Sequence, residues 1–191
     1  NEMVVRQFMD YPERWPAVVY TVNVAHAWQL RQAFADEARK RGKNCRVCVV
    51  TGETPKEERR QIVQDFRDSR VDVLLNCMVF TEGTDLPSAS CLVFARPTKS
   101  LLLYLQVAGR VLRTFPGKKD AVILDHAGVV YEHGPIAQEW SWKLDYGESD
   151  VRKETQRKTK TPKGITCEKC KAAYWYRLDC PECGWKPTLK G

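Results

Sequence analysis

Three places in this chain of 191 residues carry residue types whose spacing points to chemistry. The first is Gln106-Val107-Ala108-Gly109-Arg110-Val111-Leu112-Arg113. On a helix, Arg110 and Arg113 stand three apart on one face, with Gln106 one turn before Arg110, while Gly109 leaves room for a second backbone to come close. Val107, Val111 and Leu112 mark the helix as packed, so the arginines are expected to point into a polar cleft. Phosphate is the natural partner of paired guanidinium forks, which also stabilise charge developing on a transferred γ-phosphoryl group. A surface helix with two solvated arginines is the plainer account of the same spacing. The second place is Phe80-Thr81-Glu82-Gly83-Thr84-Asp85-Leu86-Pro87, which follows an apolar run ending near Cys77. It sets hydroxyls and exposed amides at the carboxyl end of a strand, where ligands of open α/β sheets gather. Asp85 can accept from a ribose hydroxyl, or simply cap a βα turn.

The third place is Cys167-x-x-Cys170, nine residues, then Cys180-x-x-Cys183. Two such knuckles supply four thiolates for tetrahedral Zn²⁺, which a segment too short for a core of its own needs in order to fold. Pro181 and Gly184 favour the tight turn that aims backbone amides at sulfur. Disulfides are the alternative, and the spacing fits iron as well. Tyr174, Trp175, Tyr176 and Trp185 alternate with Lys171, Arg177 and Lys186, a mixture that suits stacking on bases as well as a miniature core. The other cysteines, Cys45, Cys48, Cys77 and Cys91, are scattered through apolar runs and read as small buried hydrophobes. Cys45 and Cys48 would face opposite sides of a strand, which argues against a redox pair.

The elements that must position these residues alternate between short β-branched runs and helical periods, which indicates a mostly parallel α/β sheet. Strands are expected at Ala17–Val22, Cys45–Val50, Val71–Cys77, Cys91–Ala95 and Ala121–Asp125. Helices are expected over about 25–41, with Ala27, Leu30, Phe34 and Ala38 on one face, from Pro55 with Ile62, Val63 and Phe66 buried, and over 100–112. Thr54 is the expected N-cap of the second helix, with Glu57 completing a capping box. Residues 1–16, holding Pro12 and Pro16, read as a lead-in, 17–148 as the lobe, 149–164 as a polar basic linker and 165–191 as the metal module. No internal repeat is evident.

Composition narrows the classes further. At 43% hydrophobic and 29% charged the chain is of ordinary globular type, and no run approaches the ~18 apolar residues of a membrane helix. No secretory signal opens it, and the start at Asn1 suggests a piece of something longer. Of the net charge of +7, residues 1–150 contribute nothing, with 20 Lys/Arg against 20 Asp/Glu, whereas 151–191 hold 11 against 4. A surplus confined to the tail suits a phosphate backbone, or merely a solvated linker.

Taken in order, these segments resemble the second RecA-like lobe of superfamily 2 (DEAD/DEAH-type) helicases over residues 16–130. Val18 to Leu30 (VVYTVNVAHAWQL) stands in the place of that family's motif IV, Val49 to Thr54 (VVTGET) of motif IVa, Asn76 to Pro87 (NCMVFTEGTDLP) of motif V, and QVAGRVLR of motif VI, whose pattern is Q-x-x-G-R-x-x-R. The stretch from Arg96 to Gly134 is most similar to the bacterial and phage group that includes RadD, a DNA-repair-associated helicase-like protein in which a cysteine-rich module follows the lobe.

The resemblance implies roles residue by residue. Arg110 and Arg113 become arginine fingers reaching ATP held with Mg²⁺ by another lobe, and Gln106 helps to position them or the water. Asp85 touches the ribose, Gly83 and Thr84 link nucleotide to strand, and Gly109 belongs to the ATP side. Thr81, Thr51, Gly52 and Asn23 contact the nucleic-acid backbone, without reading sequence. DNA is the expected track, with RNA open; an upstream lobe of the same chain, together with repair or replication proteins, are the expected partners, with no membrane, in the cytoplasm of a bacterial or phage-infected cell. Neither a G-x-x-x-x-G-K-[ST] loop nor a D-E-x-H box occurs, so this piece alone is expected not to hydrolyse ATP. Two other readings remain: a duplex translocase that does not separate strands, and a binding adaptor that only presents the zinc module. His126 can line a cleft or serve the structure, His26 and His133 carry no signal, and Trp140 and Trp142 can pack a C-terminal segment or form a partner patch.

Overall fold

A computed structural model describes residues 1–10, 16–77, 79, 86–138, 140, 165–170, 173–174 and 183–185. They fall into two compact units, Asn1–Val129 and Val130–Gly191.

The first unit is built on five parallel strands: β1 (Ala17–Tyr20), β2 (Val47–Val50), β3 (Val73–Asn76), β4 (Cys91–Phe94) and β5 (Val122–Asp125), in the order β2-β3-β1-β4-β5. The three central strands are buried at every position while the two edge strands are only partly covered, as in a parallel sheet with helices on both faces. Alternation along the strands sends Ala17, Val19, Val73, Leu75, Cys91 and Val93 into one core. That core is closed by α2 (Val24–Lys40), whose buried residues Ala27, Leu30, Phe34 and Ala38 are the stripe legible in the sequence. On the opposite face Phe94 meets Tyr104 of α4 (Leu101–Val111), with ring centroids 5.7 Å apart. The remaining helices are α3 (Lys56–Arg67), which buries Phe66, and the short α5 (Val129–His133).

Three local expectations are corrected. Residues 2–9, read as lead-in, form a helix, α1 (Glu2–Met9). Its Val4, Val5, Phe8 and Met9 join the α2 core, and Phe8 meets Phe34 edge to face at 5.5 Å; burying one such ring stabilises the fold by about 1.5–3 kcal/mol. Thr54 does not cap α3. The cap position is Pro55, without a side-chain hydrogen bond, because the Thr54 hydroxyl is used by the Thr51 N–H at 3.0 Å to close the preceding turn, and Glu57 pairs with Arg60 instead. Finally, α4 ends at Val111 with Leu112 as its cap, so Leu112 is about half exposed and not packed, and Arg113 lies beyond the helix.

In the second unit, β6 (Ile165–Thr166) and β7 (Ala173–Tyr174) pair antiparallel. The basic linker 149–164 lies outside the described residues.

Candidate functional site

The strand register lines up one row of residues at the carboxyl ends: Val50, Asn76, Tyr20, Phe94 and Asp125, all on one face. Connections from β1 and from its neighbour β4 leave toward opposite edges, which opens the crevice where such sheets bind ligands. Tyr20 and Asn76 are polar groups at the end of buried apolar runs, with Asn76 fully buried. The Asn76 Oδ1 accepts from the Val79 N–H at 3.0 Å, tying Val79 back to the end of β3. Thr21 adds a second brace, its hydroxyl donating to the Asn76 carbonyl at 3.2 Å.

Burial pushes the Tyr20 phenol up to about 12, against the pull of the Arg110 charge and of the Asn76 hydrogen bond. Arg110 of α4 therefore stands near this row. Because the folded pKa exceeds the ordinary value of 10, the stabilisation it represents is complete below pH 10 and is lost as pH rises toward 12. Wild-type chain is expected to lose stability over that window more steeply than Tyr20→Phe, as read from denaturant midpoints at pH 9, 10, 11 and 12; equal slopes would refute this placement.

Helix α4 buries Tyr104, Val107, Ala108 and Val111 and exposes Gln106 and Gly109, with Arg110 half-buried. Nothing within 4 Å occupies the space a side chain would take at Gly109. The side of α4 that carries the Gln-x-x-Gly pattern thus faces away from the lobe, and Arg113 follows it past the helix end, also exposed.

Asn23, Thr51 and Gly52, expected to contact a nucleic-acid strand, lie just past the carboxyl ends of β1 and β2. Asn23 follows β1 and caps α2, its side-chain oxygen accepting from the His26 N–H at 2.8 Å. Thr51 follows β2 and is buried, its hydroxyl accepting from the Glu53 N–H at 3.2 Å, while Gly52 projects into solvent. Arg59 ties the turn from below, donating to the carbonyls of Thr54 at 3.1 Å and Thr51 at 3.4 Å. Strand β3 lies between β1 and β2; the residues expected to act after it, Thr81, Gly83, Thr84 and Asp85, lie outside the described residues. Tyr20, Thr21, Asn76 and Arg59 escaped the sequence reading, although a polar residue closing an all-apolar strand was a usable signal for Asn76.

Burial raises the thiols of Cys45, to about 12, and of Cys48, which disfavours the reactive thiolate at both. His126 follows β5, half-buried, and burial lowers its pKa. His26 closes the first turn of α2, accepting from the Val22 N–H at 3.3 Å.

In the second unit the Sγ atoms of Cys167, Cys170 and Cys183 lie within 4.8 Å of one another, with Cys167 and Cys183 3.6 Å apart. Tetrahedral zinc with Zn–S bonds of about 2.3 Å sets sulfurs roughly 3.8 Å apart, so these three thiols have the spacing of a metal knuckle. The Cys170 N–H points at the Cys167 sulfur at 3.4 Å, and Gly184 takes a positive φ of 67° directly after Cys183. Burial opposes ionisation of Cys167, but backbone N–H groups of Cys170 and Lys169 and the neighbouring thiols outweigh it and bring its pKa down to about 6. Trp185 packs against Cys167. Cys180, Pro181, Lys171, Trp175, Tyr176, Arg177 and Lys186 lie outside the described residues, as does Trp142; the Trp140 indole donates to the Ile136 carbonyl at 3.3 Å.

Comparison with known proteins adds three findings. Residues 4–115 match the family model described as the helicase conserved C-terminal domain. A 51.5 kDa protein of a Lactococcus phage (isolate 7-9) is 33% identical over 171 residues, 90% of this chain and 36% of that protein; a Schizosaccharomyces pombe protein, provisionally named as the mitochondrial ATP-dependent helicase irc3, is 46% identical over 112 residues, 59% of this chain and 18% of that protein. This chain therefore spans about a third or less of the length of these relatives. Among solved structures, the C-terminal domain of the DEAD-box protein Dbp5 superposes with a TM-score of 0.51 at 16% identity, covering 69% of this chain and 76% of that one, a likeness of fold.

Proposed function

Because this chain belongs to the family of helicase conserved C-terminal domains, we propose that it is the second motor lobe of an ATP-dependent superfamily 2 helicase or translocase that works on DNA in the cytoplasm. The observation that carries the reading is α4: a helix packed by Tyr104, Val107 and Val111 that turns Gln106 and Gly109 outward and is followed by exposed Arg113. ATP with Mg²⁺, held by a P-loop lobe, would supply the γ-phosphoryl group. Arg113 and Arg110 would complete the site as arginine fingers, with Gln106 and Gly109 beside them and Gly83, Thr84 and Asp85 on the nucleotide side. Asn23, Thr51, Gly52 and Thr81 would hold the strand, and closure and reopening of the two lobes would advance it.

The tail is read as a zinc module, with Cys167, Cys170, Cys180 and Cys183 as ligands. Support comes from the spacing of the three described thiols and the amide aimed at Cys167. Its basic flanks suit a phosphate backbone. DNA as track is supported by the resemblance of Arg96 to Gly134 to a DNA-repair-associated group.

The test is ATP hydrolysis. The 191-residue chain is expected to show none, whereas a full-length chain carrying both lobes is expected to turn over ATP faster with DNA than without. Turnover by the clean 191-residue chain would overturn the two-lobe reading. A full-length chain that binds DNA but never hydrolyses ATP would leave the adaptor, and stimulation by RNA alone would change the track.

A further inference from the structure

One ammonium joins the end of the arginine-bearing helix to a segment far from it in the chain. Lys118 Nζ donates to the carbonyl of Val111, to that of Arg113 at 2.9 Å and to that of Pro87 at 3.2 Å. Val111 is the last residue of α4, so its carbonyl is one that a helix leaves without a partner at its C-terminus, and Arg113 lies two residues beyond it, just past the cap Leu112. Pro87 is elsewhere in the chain. It sits in the turn Leu86–Ala89, closed by the Ala89 N–H donating to the Leu86 carbonyl at 3.1 Å, and Leu86 and Ala89 are buried. That turn directly follows, in sequence, residues 80–85, which hold the expected Thr81, Gly83, Thr84 and Asp85.

A lysine has three N–H donors, and three carbonyls take all of them. A cap for α4 alone would need only carbonyls of its own last turn. The third bond reaches a different segment, and Lys118 is half-buried, so water competes poorly for it. Lys119, next in the chain, is exposed and makes none of these three bonds.

Resting on the motor reading above, we infer that Lys118 is a positioning residue: it locks the end of the arginine-bearing helix to the turn Leu86–Ala89, which follows in sequence the residues expected at nucleotide and strand, so that a shift in one is transmitted to the other. Coupling carried by a physical joint of this kind is commonly worth a factor of roughly 5–150 between sites.

Two measurements test it. In the 191-residue chain, Lys118→Met is expected to speed amide exchange about tenfold at both the last turn of α4 and Leu86–Ala89, while Lys119→Met changes neither. Loosening of the helix end alone would reduce Lys118 to an ordinary cap and overturn the inference. In a full-length chain with both lobes, the ratio of DNA-stimulated to unstimulated ATP turnover does not depend on the fraction folded. It is expected to fall about tenfold in Lys118→Met, within that range of coupling factors, to stay unchanged in Lys119→Met, and to be largely restored in Lys118→Arg. Should the methionine variant not fold, Lys118→Gln, which keeps two donors, is read in the same way. An unchanged ratio with only a lower melting temperature overturns the inference. A wild-type full-length chain without DNA stimulation overturns the motor reading alone, because the exchange experiment on the 191-residue chain tests the Lys118 joint without ATP or DNA.

Discussion

Replacing Arg113 with alanine in a full-length chain is expected to lower DNA-stimulated ATP turnover about 10³-fold, the low end of what a transition-state arginine supplies. The size follows from what the side chain does: a planar fork set against the equatorial oxygens of a γ-phosphoryl group neutralises charge that is largest in the transition state, so its loss falls on kcat rather than on nucleotide affinity. Arg113→Lys should recover only part of the rate, because a point charge cannot reproduce the fork. Stability discriminates this from misfolding. Arg113 is exposed past the end of α4, so Arg113→Ala is expected to stay within about 0.5 kcal/mol of wild type by denaturant unfolding. Arg110 is half-buried near Tyr20, and Arg110→Ala is expected to lower both turnover and stability. Wild-type turnover by a folded Arg113→Ala protein would remove the finger assignment.

Zinc removal is expected to have the next largest effect, confined to the tail. Elemental analysis of the 191-residue chain should find one zinc per chain, and chelation or Cys167→Ser should unfold the segment around β6 and β7, since apparent zinc affinities of such knuckles amount to about 10–16 kcal/mol and are themselves the folding energy. The cooperative transition of Asn1–Val129, a compact unit by itself, should persist. Purified protein with reduced thiols and no bound metal would exclude the module, and iron in the same analysis would change the metal while leaving the four ligands in place.

Much of this was legible in residue order. The stripe Ala27-Leu30-Phe34-Ala38 and the all-apolar runs that became β1, β3 and β4 announce themselves by period, because burial on one helical face or on both sheet faces leaves a mark on every turn or residue. The helix α1 was obscured by Pro12 and Pro16, though Val4, Val5, Phe8 and Met9 already form its apolar face. Thr54 failed as a cap because its hydroxyl has two acceptable donors, and only the folded turn selects the Thr51 N–H.

What the order of residues determines here is the set of elements and the chemistry they can carry: five strands, the Q-x-x-G-R-x-x-R pattern and two cysteine knuckles. Such features are local, and periodicity, capping and ligand spacing all act over a few residues. The tertiary structure alone decides that Tyr20, Asn76 and Asp125 share one row, that Arg110 approaches Tyr20 while Arg113 stands outside the helix, and that Lys118 binds Pro87 from 31 positions away. Those relations depend on the order of strands in the sheet and on where a helix stops, and both are settled by packing between segments far apart in the chain.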